Sequence, residues 1–159
     1  MIHYVKGNLL DSNCDYICHQ VNCQGVMGSG IAKQIRERWP LVFSSYRNYC
    51  SRHLGATDGL LGNIWGVRIN DADQWIVNMF SQDNFGYDGS RFTSYDAFAK
   101  CLTAMRDRFP KDKTIGFPKN IGCGLGGGNW KVISALIEEI LGDDYEVYIY
   151  EYDTKGDSQ

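Results

Sequence analysis

A glycine-rich run set between a strand-like segment and a helix-like segment occurs twice in this chain. In the first, Asp15-Tyr16-Ile17-Cys18-His19-Gln20 leads into Val21-Asn22-Cys23-Gln24-Gly25-Val26-Met27-Gly28-Ser29-Gly30, and a helix-like run follows from Ile31 to Trp39. In the second, Thr114-Ile115-Gly116-Phe117 precedes Gly122-Cys123-Gly124-Leu125-Gly126-Gly127-Gly128, with a helix beginning near Asn129. A turn of this kind leaves backbone N–H groups unpaired at the positive end of a helix dipole, which suits an anion and above all a phosphate. Two such loops in one domain predict two walls closing on a diphosphate.

Between and around the loops, period-2 and helical-period segments alternate. Ile2–Lys6 reads as a strand ended by Gly7-Asn8, and Asp15–Asn22 as a second strand. A helix is expected from about Ser29 to Arg38, stopped by Pro40, and another from Leu41 to His53. Leu61–Ile69 and Trp75–Phe80 read as strands turning at Asn70–Asp73. The polar stretch from Ser81 to Phe92 has no periodicity and is long enough to be functional. Thr93 and Asp96 have capping-box-like spacing before a helix carrying Tyr95, Phe98, Ala99, Leu102, Met105 and Phe109. A strand at Thr114–Phe117 follows, then a helix with an apolar stripe of Val132, Ile133, Leu136, Ile137, Ile140 and Leu141. A last strand runs from Glu146 to Tyr152. This alternation predicts an α/β layer fold with helices on both faces and with the glycine loops at the carboxyl ends of strands.

At 159 residues the chain reads as one domain over residues 1–153, with a polar tail over 154–159. The net charge of −3 speaks against a general nucleic-acid binder. With no signal-like or membrane-spanning apolar run, a soluble cytoplasmic protein, expected as a monomer, is the reading. The six cysteines sit mainly inside apolar patterns and read as buried free thiols of a reducing compartment. Cys14, Cys18, His19 and Cys23 match no zinc spacing, so neither a metal nor another cofactor is expected. A P-loop is excluded because Ile31-Ala32 follows Gly30 where Lys-Ser/Thr is required. A dinucleotide fingerprint is disfavoured by Lys33 at the place of its third glycine.

Lys6-Gly7-Asn8-Leu9-Leu10, His19 to Ala32 and Ile121 to Gly126 together resemble the signature segments of a macrodomain, in order and spacing, across essentially the whole chain. The resemblance implies a three-layer α/β/α sandwich with a mixed central sheet that binds ADP-ribose. The branch it looks like holds yeast-type ADP-ribose 1″-phosphate phosphatases, terminal ADP-ribose protein glycohydrolases and DNA ADP-ribose glycohydrolase antitoxins. Carried over, Gly28, Ser29, Gly30 and Ile31 line the diphosphate and distal ribose. Gly122, Cys123, Gly124, Leu125, Gly126 and Gly127 close over the diphosphate. Asn22 bonds the distal ribose or braces the loop as a turn residue, and Tyr152 stands beside adenine or packs the sheet end. Asn8 replaces the usual Asp that accepts the adenine amino group; its amide oxygen can accept the same bond without charge.

For catalysis the resemblance is uneven. Glycohydrolases similar to this chain use a lysine after the fourth strand and, in the protein-directed ones, an Asp in the second glycine loop. Here Asp83 stands near the lysine's place and Gly126 at the acid's, so an amine nucleophile is missing. The phosphatase-like members resemble it in His19 and in the loop from Phe80 to Gly86. His19 is then the candidate acid or water activator, its alternative being a strand histidine satisfied by a backbone group. Asp83 and Asp88 are candidates to orient water. An ADP-ribose 1″-phosphate phosphatase is the leading expectation. A non-catalytic ADP-ribose reader and a glycohydrolase acting on ADP-ribosylated protein or DNA are the alternatives.

Overall fold

Apolar residues alternate along the strands so that the central sheet they form feeds two cores, one on either side. The computed structural model describes residues 1–53, 57–86 and 88–152. In chain order these form β1 (Ile2–Lys6), a 3₁₀ turn (Leu9–Asp11), β2 (Tyr16–Val21), α1 (Gly30–Arg38), α2 (Pro40–Ser51), α3 (Thr57–Leu60), β3 (Ile64–Arg68), β4 (Trp75–Phe80), α4 (Tyr95–Arg108), β5 (Thr114–Pro118), α5 (Trp130–Leu141) and β6 (Glu146–Glu151). The strands make one six-stranded sheet in the order β1-β6-β5-β2-β4-β3. All neighbours are parallel except the β3–β4 hairpin, which is antiparallel.

On one face Cys18, Val77, Met79 and Phe117 pack against Phe98, Leu102 and Met105 of α4 and Ile133, Ile137 and Leu141 of α5. On the other, Ile17, Val21, Ile76 and Phe80 meet Ile35 of α1 and Val42, Tyr46 and Cys50 of α2. The split follows the strand period: Ile17 and Cys18, or Ile76 and Val77, point to opposite sides. The expected three-layer sandwich with a mixed sheet is therefore the observed one. Burial holds the thiols of Cys23 and Cys101 protonated, pushing each up to about 12. Among the described residues no helix is long and apolar enough to cross a membrane.

Local departures have local causes. Pro40 does not merely stop α1; it is the first residue of α2, where its missing N–H costs nothing and its fixed φ starts the helix. The cap of α4 is Ser94, whose side chain accepts from the Ala97 N–H at 3.1 Å, rather than Thr93. The Thr93 hydroxyl is committed elsewhere, donating to the Gly122 carbonyl at 2.7 Å. Along α5, Ile133, Ile137 and Leu141 are buried while Val132, read as part of the stripe, is 37% exposed. The polar tail expected over 154–159 lies outside the described residues.

Candidate functional site

β2 and β5 are neighbours in the sheet, so the glycine loops that follow them emerge side by side at its carboxyl edge. Between them lies a cleft of about 240 Å³. Loop one (residues 22–29) presents Asn22, Val26, Gly28 and Ser29 to it, and the first turn of α1 adds Gly30, Ile31 and Ala32. Loop two (residues 119–128) contributes Gly122, Gly124, Leu125 and Gly126, with Pro118 at the end of β5. The third wall is Gln82, Phe85 and Gly86, after β4, and Gln20 belongs to the floor.

The N-terminus of α1 is left without a side-chain cap. Ser29 is its N-cap but makes no side-chain capping bond, whereas Ser94 and Asn129 cap α4 and α5 with their side chains. The first amide to find a helical acceptor is that of Lys33, bonded to the Ser29 carbonyl at 3.2 Å. The N–H groups of the first turn therefore face the cleft without intrahelical partners. Across it, the amides of Gly124, Leu125 and Gly126 donate to no acceptor among the described residues. Unpaired amides on two walls of a cleft, beside a positive helix end, suit an anion. Among the described residues, none that lines the cleft is ionisable. Among the described residues the lining offers an anion backbone dipoles and neutral side-chain donors rather than a fixed charge.

Asn22 holds loop one in shape. Its Oδ1 accepts from the Gln24 N–H at 2.9 Å and from the Tyr46 hydroxyl at 2.9 Å, while its Nδ2 donates to the Val26 carbonyl at 2.8 Å. The loop-bracing reading of this residue is thus the observed one, and Asn22 also lines the cleft. In loop two the glycines have different causes. Gly122 adopts φ +74°, a turn conformation other residues avoid. At Gly126 a Cβ would stand 2.5 Å from Thr93 Oγ1 and 2.7 Å from the Gly122 carbonyl oxygen. At Gly127 it would stand 2.8 Å from the Ser90 carbonyl oxygen. Gly126 is thus a glycine through crowding by Thr93 and Gly122, whereas Gly127 combines that crowding, from residues 90–91, with a φ of +72°; Gly127 does not line the cleft, contrary to expectation.

Several other expected contacts are not brought to the cleft. His19 lies on the α1–α2 face of β2 with no exposed surface. Its Nε2 bonds Asn78 Oδ1 at 2.6 Å, across the β2–β4 register, and Asn78 Nδ2 donates to the Trp65 carbonyl at 3.0 Å. Because the amide oxygen only accepts, the imidazole carries its proton on Nε2, and Nδ1 is buried without a partner. Burial lowers the His19 pKa to about 4, the Asn78 bond opposing it only in part. A neutral imidazole sealed in the core cannot exchange a proton with a bound ligand, so the expected catalytic role is corrected to a structural one. Cys123 is turned to the α4–α5 core, and its thiol meets the Ile121 carbonyl. Asn8 caps the 3₁₀ turn, its Oδ1 accepting from the Leu10 N–H at 3.0 Å, and neither it nor half-buried Tyr152 lines the cleft.

Asp83 is exposed beside loop one and outside the lining. Its carbonyl accepts from the Cys23 N–H at 2.9 Å, and Gln24 Nε2 reaches its Oδ1 at 3.3 Å. Asp88, also exposed, accepts from the Ser90 N–H at 2.9 Å away from the cleft. Sequence reasoning picked out the loop from Phe80 to Gly86 but not Gln82 and Phe85 within it, and it missed Gln20. A glutamine at the end of a strand carries no periodic signal, and an exposed Phe reads as ordinary surface until the cleft is seen.

No family model matches the chain. An ADP-ribose 1″-phosphate phosphatase of Scheffersomyces stipitis is 39% identical over 176 residues, covering 94% of this chain and 99% of that protein. A Meyerozyma guilliermondii protein of the same description is 28% identical, over 67% of this chain and 60% of its own length. A DNA ADP-ribosyl glycohydrolase of Mycobacterium tuberculosis is 44% identical over 52 residues, 33% of this chain and only 15% of that protein. Among solved structures, a protein of unknown function from Bacteroides thetaiotaomicron superimposes with a TM-score of 0.82 at 27% identity, covering 95% of this chain and 98% of that one. The macrodomain of Thermus aquaticus DarG gives 0.78 at 25% identity, with coverage of 95% and 98%.

Proposed function

Since this chain belongs to the macrodomain family, we propose that its cleft binds ADP-ribose and that the protein hydrolyses ADP-ribose 1″-phosphate to ADP-ribose and inorganic phosphate. The observation that carries the binding is the set of unpaired amides on two walls of the cleft, at the uncapped start of α1 and from Gly124 to Gly126, in a lining free of charge. Two backbone walls suit a diphosphate, whose charge they neutralise without a fixed cation. Adenine lies toward the β1–β6 side, where Asn8 and Tyr152 follow their strands, and the distal ribose toward β4. The Ser29 hydroxyl, which makes no capping bond to its helix, donates to the phosphate or ribose.

For hydrolysis, water adds to the 1″-phosphorus, the bond from phosphorus to the ribose oxygen breaks, and a proton from that water ends on the leaving oxygen as the 1″-hydroxyl. Asp83 is the carboxylate fastened to loop one, and in this proposal it orients that water from the rim. A second reading, an ADP-ribose reader that performs no chemistry, is favoured by the absence of ionisable groups from the lining among the described residues. Incubation with ADP-ribose 1″-phosphate, ADP-ribosylated protein and ADP-ribosylated DNA, following phosphate and ADP-ribose release, separates the readings. Phosphate release that falls at least tenfold in Asp83→Asn supports the phosphatase assignment. Binding at micromolar affinity, roughly −8 kcal/mol, without turnover of any substrate identifies a reader. Gly28→Glu should abolish binding with the fold intact, since a carboxylate would stand among the amides meant for phosphate; unchanged affinity would remove loop one from the site.

A further inference from the structure

At the β4 end of the cleft a chain of hydrogen bonds fixes the orientation of two side-chain amides. The Thr93 hydroxyl donates to the Gly122 carbonyl at 2.7 Å, so it must accept from Gln20 Nε2, 2.9 Å away. Gln20 thereby turns its oxygen toward Ser81, whose hydroxyl donates to it at 2.7 Å. The second Gln20 N–H donates to Gln82 Oε1 at 2.8 Å. This turns the Gln82 nitrogen outward, where one of its hydrogens goes to the Asn84 carbonyl at 2.7 Å. A carbonyl at each end leaves the network a single self-consistent direction.

The consequence is that one hydrogen on Gln82 Nε2 has no acceptor among the described residues, on a residue that lines the cleft. Its amide cannot flip to offer oxygen instead, because a flip would set nitrogen against the Gln20 N–H and oxygen against the Asn84 carbonyl. We propose that Gln82 is a specificity-determining residue, donating this N–H to the distal ribose or to the phosphoryl group on it, with Gln20 as the residue that positions it. The inference rests on the reading that ADP-ribose occupies the cleft. It locates the distal end because Gln82 follows β4, on the opposite side of β2 from β5, β6 and β1. A neutral donor at this place tolerates both a hydroxyl and a phosphate, where a carboxylate would repel the phosphate and a lysine would favour it.

The test is calorimetric titration of the parent, Gln82→Met and Gln82→Glu with ADP, ADP-ribose and ADP-ribose 1″-phosphate, beside thermal melts. ADP has no distal ribose and should bind all three proteins within about twofold. Gln82→Met should weaken ADP-ribose by about five- to tenfold, the worth of one hydrogen bond. Gln82→Glu still accepts from Gln20 but has lost the donor and gained a charge, so it should weaken ADP-ribose 1″-phosphate several-fold more than ADP-ribose. Equal losses for ADP and ADP-ribose, or no loss in either variant, would overturn the inference while leaving ADP-ribose binding intact. A parent protein that binds none of the three ligands would overturn the functional reading and this inference together.

Discussion

His19 shows what burial does to a titratable side chain. Its folded pKa of about 4 lies below the ordinary histidine value of 6.5, so the unfolded chain binds the proton more readily. Stability is therefore fully present above pH 6.5, is lost as pH falls toward 4, and loses nothing further from this group below that. The interval is worth roughly 3 kcal/mol. Denaturant unfolding of the parent and of His19→Leu across this range should show the steeper loss in the parent; parallel curves would mean that the imidazole is charged or exposed in the fold. The glycines give a second contrast. Gly126→Ala places a Cβ against Thr93 and the Gly122 carbonyl and should destabilise by about 1–3 kcal/mol. Gly28→Ala meets only a Val26 methyl at 3.6 Å and should leave stability within about 0.5 kcal/mol. Chemical denaturation of the pair checks both, and equal destabilisation would contradict the packing described for residues 90–93.

Among the elements, α1 and α4 are opposites in how their first turns are satisfied. Ser94 caps α4 from its own side chain, and Ser94→Ala should cost about 1 kcal/mol in equilibrium unfolding. Thr93 beside it serves another element, tying loop two to the β4–α4 connection together with the Phe92 and Thr93 amides, which donate to the Gly126 carbonyl at 2.7 and 3.0 Å. Thr93→Val should therefore lose about 1–3 kcal/mol by stranding Gln20 and Gly122, and Thr93→Ser should recover most of it. A Ser94→Ala effect near zero, with Thr93→Ser as damaging as Thr93→Val, would return the cap to Thr93. The start of α1, by contrast, stays unpaired, since its N-cap Ser29 makes no side-chain capping bond.

For the whole molecule, the two cores meet at the sheet, and the cleft lies over the edge where β2 and β5 adjoin. A ligand that bridges loop one, loop two and the Gln82 segment ties both faces together and should raise the unfolding temperature. At a thousand times a micromolar Kd the gain is about 4 kcal/mol, or on the order of ten degrees for a domain of this length. Differential scanning fluorimetry with ADP-ribose against adenosine makes the comparison. An equal shift with adenosine would remove the diphosphate from the binding account.

The alternation of elements, both glycine loops and the order of the signature segments were legible along the chain, because hydrophobic period and turn chemistry are properties of neighbours in sequence. The 3₁₀ turn at Leu9–Asp11 and α3 are too short to show a period, and nothing local announces them. That Asn22 braces a loop, that Gly127 yields to Ser90 and that Thr93 abandons its helix depend on segments far apart in sequence meeting at the sheet edge. His19 and Gln20 make the distinction most sharply. As neighbours on one strand they point to opposite faces, and only the packing of helices on those faces decides that the imidazole is sealed beside Asn78 while the amide reaches the cleft. Sequence alone determined the fold and the loops that line the cleft; the tertiary structure decided which polar side chains can touch what enters it, because burial and partner choice are set by residues remote along the chain.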